Sequence, residues 1–270
     1  PKFFFLNYYR CEGCYNLEKK IWDTRVKITH IDISSNMKCN SDCIYCFSHT
    51  NKKYFNQVKD IPVYEIIHKM VNKKIIDKNC EIQIGGGEPV ILEEFEQIMF
   101  LLLDNNFDNI NIYSSGIKYS YAIEKALKKD ACKIYISPDS GESELYKRIK
   151  NTDKFNEVWN NIKRYCEAQN RNKEAVWIKY IIIPDINDDI SNINKFLQKV
   201  IESEGHAIAI DIEREWYKRN KNNKNKIEEY IHLIKYTEKF CKANNIKYIH
   251  FPTALHITKD FKTLYDDINF

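Results

Sequence analysis

The chain has 270 residues, 42 Lys and Arg against 38 Asp and Glu, a net charge of +4, and 43% hydrophobic residues. That length suits one large α/β domain with a sizeable core, and the mild charge, with lysines and glutamates interspersed, carries no footprint for nucleic acid. No run approaches the roughly 18 apolar residues of a membrane span, and nine cysteines in a long chain, several at metal-like spacing, read as reduced thiols in a cytoplasmic protein rather than a disulfide framework.

In chain order, residues 1–26 form an N-terminal extension. Its Phe3–Leu6 run is too short for a signal segment, and it contains Cys11-Glu12-Gly13-Cys14. This CxxC has three readings: an auxiliary iron–sulfur or zinc site, a redox pair, or no role, since two cysteines alone cannot complete a four-ligand site. The chain starts at Pro1, and we expect it to be part of a longer protein. Val26–Ser34 alternates apolar and polar residues as a first strand. It leads to Cys39-Asn40-Ser41-Asp42-Cys43-Ile44-Tyr45-Cys46, where three soft thiolate ligands crowd one loop and no fourth is evident. His49 follows shortly after, with a loop-capping role the simpler reading.

Pro62 opens a helix with Val63, Ile66, Ile67, Met70 and Val71 at helical spacing. Glu81–Ile84 is a short strand running into Gly85-Gly86-Gly87-Glu88-Pro89, glycines that let backbone approach a ligand closely or simply make a tight turn. Glu93–Asn106 is a helix with an apolar stripe, Ile110–Tyr113 a strand ending at Ser114-Ser115-Gly116, Tyr121–Lys129 a helix, and Lys133–Ile136 a strand ending at Ser137-Pro138-Asp139. Asp153–Asn170 is a helix and Val176–Ile183 a strand buried on both faces. Ser191–Glu202 is a helix with a serine N-cap, and Ala207–Ile212 a strand. Lys218–Lys226 reads as an exposed loop or helix start, Ile227–Asn244 as the last long helix, and Ile246–Phe251 as an extra strand. Cys80, Cys132, Cys166 and Cys241 are isolated and read as small buried hydrophobes. No Ser–His–Asp arrangement or P-loop is visible.

The cysteine loop, with Tyr45 before its last cysteine, resembles the signature of radical S-adenosylmethionine (SAM) enzymes. Gly86-Gly87-Glu88-Pro89, Ser114-Ser115-Gly116 and Ile136–Ser140 resemble further motifs of that family in register. The resemblance implies a partial (β/α)6 TIM-like barrel of parallel strands over residues 27–251, with 252–270 as a C-terminal extension. Strand–helix alternation independently implies parallel pairing, with ligands at the carboxyl ends of the strands. The family resemblance also implies that Cys39, Cys43 and Cys46 hold an oxygen-sensitive 4Fe–4S cluster, and that the free iron chelates SAM. One electron from a flavodoxin- or ferredoxin-like donor then cleaves SAM to a 5′-deoxyadenosyl radical, which abstracts hydrogen from substrate. Tyr45, Gly86, Gly87, Glu88, Pro89, Ser115, Ser137, Asp139 and Arg148 are the implied SAM-binding positions, Arg148 facing the SAM carboxylate and Glu88 either a ligand or a brace of its loop. Relatives with auxiliary clusters in SPASM or twitch domains make a second iron–sulfur cluster at Cys11 and Cys14 one of the open readings.

The substrate is read less directly. Lys179, Asp185, Asn187, Asp211, Glu213, Arg214 and Trp216 stand near predicted strand ends, and each has a structural reading beside a binding one. The stretch Asp139–Asn151 resembles members acting on peptides, proteins or polar small molecules such as aminosugars, by oxidation, epimerisation or cross-linking. A radical methyltransferase or a sugar- or nucleotide-modifying enzyme is the alternative, and a non-catalytic iron–sulfur or zinc-binding scaffold is the alternative of another class.

Overall fold

A computed structural model describes residues 27–34, 37–46, 61–220 and 222–250. The extension with Cys11 and Cys14, the segment with His49, and residues 252–270 lie outside the described residues.

Seven parallel strands form one sheet in sequential order: β1 (Ile28–Ile33), β2 (Ile76–Ile84), β3 (Ile110–Ser114), β4 (Cys132–Ile136), β5 (Val176–Ile182), β6 (Ala207–Ile212) and β7 (Lys247–His250). Helices α1 (Val63–Asn72), α2 (Phe95–Asp104) and α3 (Tyr121–Lys128) return the chain between the early strands. Between β4 and β5 lie α4 (Ser143–Lys150) and α5 (Phe155–Ala168). Between β5 and β6 lies α6 (Ile190–Glu202), and α7 (Arg214–Asn220) and α8 (Lys224–Ala243) precede β7. Sequential order with every neighbour parallel is a curved, partial TIM-like barrel, and the expected extra strand is its seventh.

Period-two alternation splits the strands between two environments. Ile82, Ile84, Ile110, Ile112, Ile134, Ile136, Val176, Ile178, Ile208, Ile210 and Ile212 are all buried in one large core under the helices. Each fully buried isoleucine contributes about 1.5–3 kcal/mol. The alternate residues face the concave side and differ in kind: Glu81, Gln83, Asn111, Tyr113, Tyr135, Trp177, Lys179 and Asp211, with Ala207 and Ala209. The wall is therefore apolar outside and polar or aromatic inside. The reading of β5 as buried on both faces holds for Val176, Trp177, Ile178, Tyr180 and Ile182, with Lys179 and Ile181 half-buried on the inner face.

Local differences from expectation have local causes. Strand β2 starts at Ile76 because the pairing with β1 slips between Ile28 and His30, which accommodates the polar stretch Asp77–Asn79 and hides it from an alternation pattern. Helix α6 is capped by Asp189, whose carboxylate accepts from Asn192 N at 2.8 Å, and not by Ser191. Pro62 is the N-cap of α1 rather than its first residue, and Ile66 is exposed, with Ile67 and Val71 facing the core. The Lys- and Asn-rich stretch begun at Lys218 is the end of α7 followed by the start of α8.

Candidate active site

The three motif loops meet where the strands end. The cysteine loop is stitched to α4: Asp42 N donates to Lys150 O and Ile44 N to Ile149 O, both at 3.0 Å. Within it, Cys46 N donates to Cys43 O at 3.0 Å, and Ser41 Oγ lies 3.4 Å from Cys39 Sγ and 3.5 Å from Cys43 Sγ. Burial pushes the Cys39 thiol up, against the pull of the Ser41 hydrogen bonds.

The glycine loop lies against the cysteine loop, with Glu88 N donating to Lys38 O at 2.8 Å. A Cβ on Gly87 would stand 2.2 Å from Lys38 O and 2.7 Å from Met37 C, so only glycine allows this approach. Gly86 has φ of 97° and is exposed. Glu88 is 2% exposed. Its Oε1 accepts from Val90 N at 3.1 Å and Ser114 Oγ at 2.9 Å, and its Oε2 from Ser115 N. Glu88 thus ties the glycine loop to the end of β3. Of its two sequence readings this geometry matches the brace. Pro89 opens a buried 3-10 turn behind it. Ser115 Oγ in turn donates to Asn40 Oδ1 at 2.9 Å, a link to the cysteine loop that the sequence did not single out.

Beyond β4, Asp139 is fully buried in left-handed backbone at φ of 56°. Its Oδ1 accepts from Ile181 N at 2.8 Å, and its Oδ2 accepts from Tyr45 OH at 2.6 Å and from Lys150 Nζ. Lys150 Nζ also donates to Tyr45 OH at 2.6 Å. Burial draws the Lys150 ammonium down, but Asp139 and then Cys43 push it up, and the balance holds it above its ordinary value and charged. Burial first and Asp139 second raise the Tyr45 phenol well above its usual range, so it remains a donor. Asn187, also fully buried, donates to Asp139 O at 3.0 Å and Ile181 O at 2.9 Å, and accepts from Ile183 N at 2.6 Å. Sequence reading set Asp139 and Tyr45 among the SAM-binding positions and Asn187 among the substrate candidates. The structure joins them into one clamp.

Lys150 itself was missed. The basic residue chosen from the sequence, Arg148, is exposed on α4. The missed signal was helical: Tyr146, Ile149 and Lys150, at i, i+3 and i+4, share the buried face, and Arg148 falls off it. Ser137 sits half-buried on the concave face at the end of β4. Among the substrate candidates, Lys179 Nζ lies 2.8 Å from Asp211 Oδ2, with side chains 18% and 1% exposed. Glu213 caps α7, accepting from Glu215 N at 2.8 Å and Trp216 N at 2.6 Å. Trp216 packs edge-on against Tyr230 at 4.5 Å. Asp185 and Arg214 are exposed.

Among the described residues no three His, Cys, Asp or Glu side chains converge as a site for one metal ion. The donor set instead suits a multi-iron cluster: three soft sulfurs on one loop, a buried cation beside it, and no fourth protein ligand supplied by the loop.

A profile of the Radical SAM superfamily matches residues 33–197, more than half of the chain. The chain belongs to the radical SAM superfamily. It is an enzyme of that family, whose cofactors are a 4Fe–4S cluster and SAM. GTP 3′,8-cyclase of Clostridium botulinum (strain Okra / Type B1) is 27% identical over 168 residues, covering 60% of this chain and 50% of the relative. A probable GTP 3′,8-cyclase of Methanocaldococcus jannaschii is 27% identical over 176 residues, covering 64% and 58%. The chain therefore spans about half the length of the curated relatives it matches. In fold it resembles Streptococcus suis SuiB, at a TM-score of 0.62 and 13% identity over 90% of this chain and 54% of that one. It also resembles anSMEcpe, solved with bound AdoMet, at a TM-score of 0.59 and 18% identity over 82% and 63%. No helix among the described residues is long and apolar enough to cross a membrane.

Proposed function

We propose that this radical SAM enzyme acts on a peptide or protein, or failing that a polar small molecule such as an aminosugar, by oxidation, epimerisation or cross-linking. Cys39, Cys43 and Cys46 are the cluster ligands in this reading. The cluster would supply the electron that cleaves SAM to the hydrogen-abstracting 5′-deoxyadenosyl radical. The backbone of Gly86 and Gly87 takes the SAM amino group, held in place by Glu88 and Pro89. Ser115 and Ser137 line the cofactor's polar edge. Lys150, not Arg148, is the cation at the carboxylate end, and Asp139 and Tyr45 fix its position.

The observation that carries the substrate class is charge balance at the strand ends. Lys150 is neutralised by Asp139 and Lys179 by Asp211, both inside the fold. A triphosphate calls for cations in excess, so the cyclase reading draws no support from these residues. SuiB and anSMEcpe have each been solved with a peptide, the former with its precursor SuiA. The radical methyltransferase reading rests on fold alone, from a Sphaerobacter thermophilus enzyme at a TM-score of 0.51. A reducing, cytoplasmic setting fits the seven described cysteines, which form no disulfide among the described residues. An acidic flavodoxin- or ferredoxin-like donor would suit the net charge of +4. A second cluster at Cys11 and Cys14 stays part of the proposal.

The test is anaerobic reconstitution with iron and sulfide, then dithionite-driven turnover with either a perdeuterated peptide digest or deuterated GTP. Deuterium in 5′-deoxyadenosine from the peptide arm supports the reading, and deuterium from the GTP arm alone refutes it. About eight irons per chain, rather than four, places a second cluster in the protein.

A further inference from the structure

The concave wall just under the glycine loop carries a ladder of rings. Tyr113 stacks on Tyr135 at 4.9 Å and 14°, and Tyr135 on Trp177 at 6.1 Å and 15°. The register explains the ladder, because Tyr113 pairs with Tyr135 and Tyr135 with Trp177 across β3, β4 and β5. It reaches the glycine loop at one end, where a Cβ on Gly85 would meet Tyr113 Cδ2 at 3.5 Å.

Above the rings stands the Lys179–Asp211 pair. Lys179 is two residues beyond Trp177 on the same face of β5. Ile136 pairs with Ile178, which sets Ser137 and Lys179 side by side one step nearer the strand ends. Asp211 approaches from β6, its Oδ1 accepting from Ile212 N at 2.9 Å. Below, Trp177 is 6% exposed and its Nε1 has no hydrogen-bond partner among the described residues. A buried indole N–H without an acceptor is costly, so it is ordinarily satisfied.

Resting on the reading of the site given above, we propose that Lys179 and Asp211 form a subsite for a secondary amide of the substrate, with the Tyr113–Tyr135–Trp177 ladder as its floor. The pair sets a cationic donor beside an anionic acceptor. That is the complement of an amide, whose carbonyl accepts from the ammonium and whose N–H donates to the carboxylate. A net-neutral pair gains little from a bare anion, because the attraction of Lys179 is cancelled at short range by Asp211. The rings offer flat apolar area for the group flanking the amide, and the Trp177 N–H is a further donor to a carbonyl. Both a peptide bond and the acetamido group of an N-acetylated aminosugar present this chemistry.

The experiment uses the reconstituted holoenzyme with SAM and three probes, acetyl-Ala-Phe-Ala-amide, N-acetylglucosamine and GTP, with binding read by saturation-transfer NMR. Lys179→Met leaves the buried Asp211 carboxylate without its lysine and is at risk of unfolding. The second variant is therefore Lys179→Met with Asp211→Leu, checked by circular-dichroism melting. We expect an amide probe to bind the wild type and to weaken at least tenfold in the double variant, the peptide and sugar arms showing which source fits. Equal binding in the double variant, no binding of either amide probe, or stronger binding of GTP overturns the subsite. Failure of the wild type to form 5′-deoxyadenosine overturns the underlying reading instead, and is measured separately.

Discussion

Replacing Lys150 with methionine tests whether the clamp holds the cysteine loop. The change keeps the length of the side chain and removes a charge that is 6% exposed and paired to a carboxylate that is 0% exposed. Removing one partner of a buried pair costs about 3–5 kcal/mol, mostly through the charge left behind. Asp139 would keep the Ile181 N–H at 2.8 Å and the Tyr45 hydroxyl at 2.6 Å, which places the loss toward 3 kcal/mol. At about 2–4 °C per kcal/mol for a domain of this size, the melting temperature of the apo protein falls by about 6–12 °C. Arg148→Ala is the matched control, since its side chain is exposed and surface changes rarely matter. The assay is thermal melting by circular dichroism, followed by iron content after reconstitution. We expect Lys150→Met to lose both stability and iron, and Lys150→Arg to recover part of each. A Lys150→Met protein that melts within ~2 °C of wild type and assembles its cluster, or an Arg148→Ala protein that does neither, refutes the clamp.

Gly87→Ala forces a Cβ to within 2.2 Å of Lys38 O, so the cysteine and glycine loops must separate. Iron uptake should drop while the melting temperature changes little, because the clash is local to the site. Glu88→Gln replaces an acceptor-only carboxylate with a group that has one acceptor oxygen for the Val90, Ser114 and Ser115 donors. A loss of about 1–3 kcal/mol in denaturant unfolding is expected, and an unchanged midpoint would show that the three bonds do not matter. The isolated cysteines predict alkaline sensitivity. Burial pushes the Cys166 and Cys241 thiols up to about 12 from 9.0, so the native state keeps protons that the unfolded chain releases. Their contribution is complete below pH 9 and is lost as pH rises toward 12. Changing both to alanine should flatten the decline in stability over that window.

The fold was legible because the helix-facing side of each strand is almost uniformly isoleucine and the helices between are amphipathic. The positions of the three motif loops followed from the strand ends. What escaped was the tertiary use of polar residues. Lys150 looks like one more lysine in a basic helix until helical spacing places it with Tyr146 and Ile149 on the inner face. Asn187 reads as a turn residue, and only the structure shows it bound to Asp139 O, Ile181 O and Ile183 N at once. Lys179 breaks the apolar run of β5, which marks it as unusual. Its partner lies on another strand with no local signal to connect them. Pairings across a sheet depend on register, and register is not written in either strand alone.

Among the described residues, the ion pairs Lys150–Asp139 and Lys179–Asp211 have both partners mostly inside the fold, and both lie at the carboxyl ends of the strands. Stability does not account for them. Desolvating two charges offsets most of their attraction, and apolar replacements of similar volume are often neutral or stabilising by 1–4 kcal/mol. The core beneath shows that this sequence has ample isoleucine to fill such positions. If Lys179 and Asp211 are kept for binding, the Met and Leu double variant should melt at or above the wild-type temperature while losing the amide probe. If they are kept for folding, that variant should melt lower and its binding should fall only in proportion to the protein lost. The two outcomes differ in sign, so one melting curve beside one binding isotherm separates them.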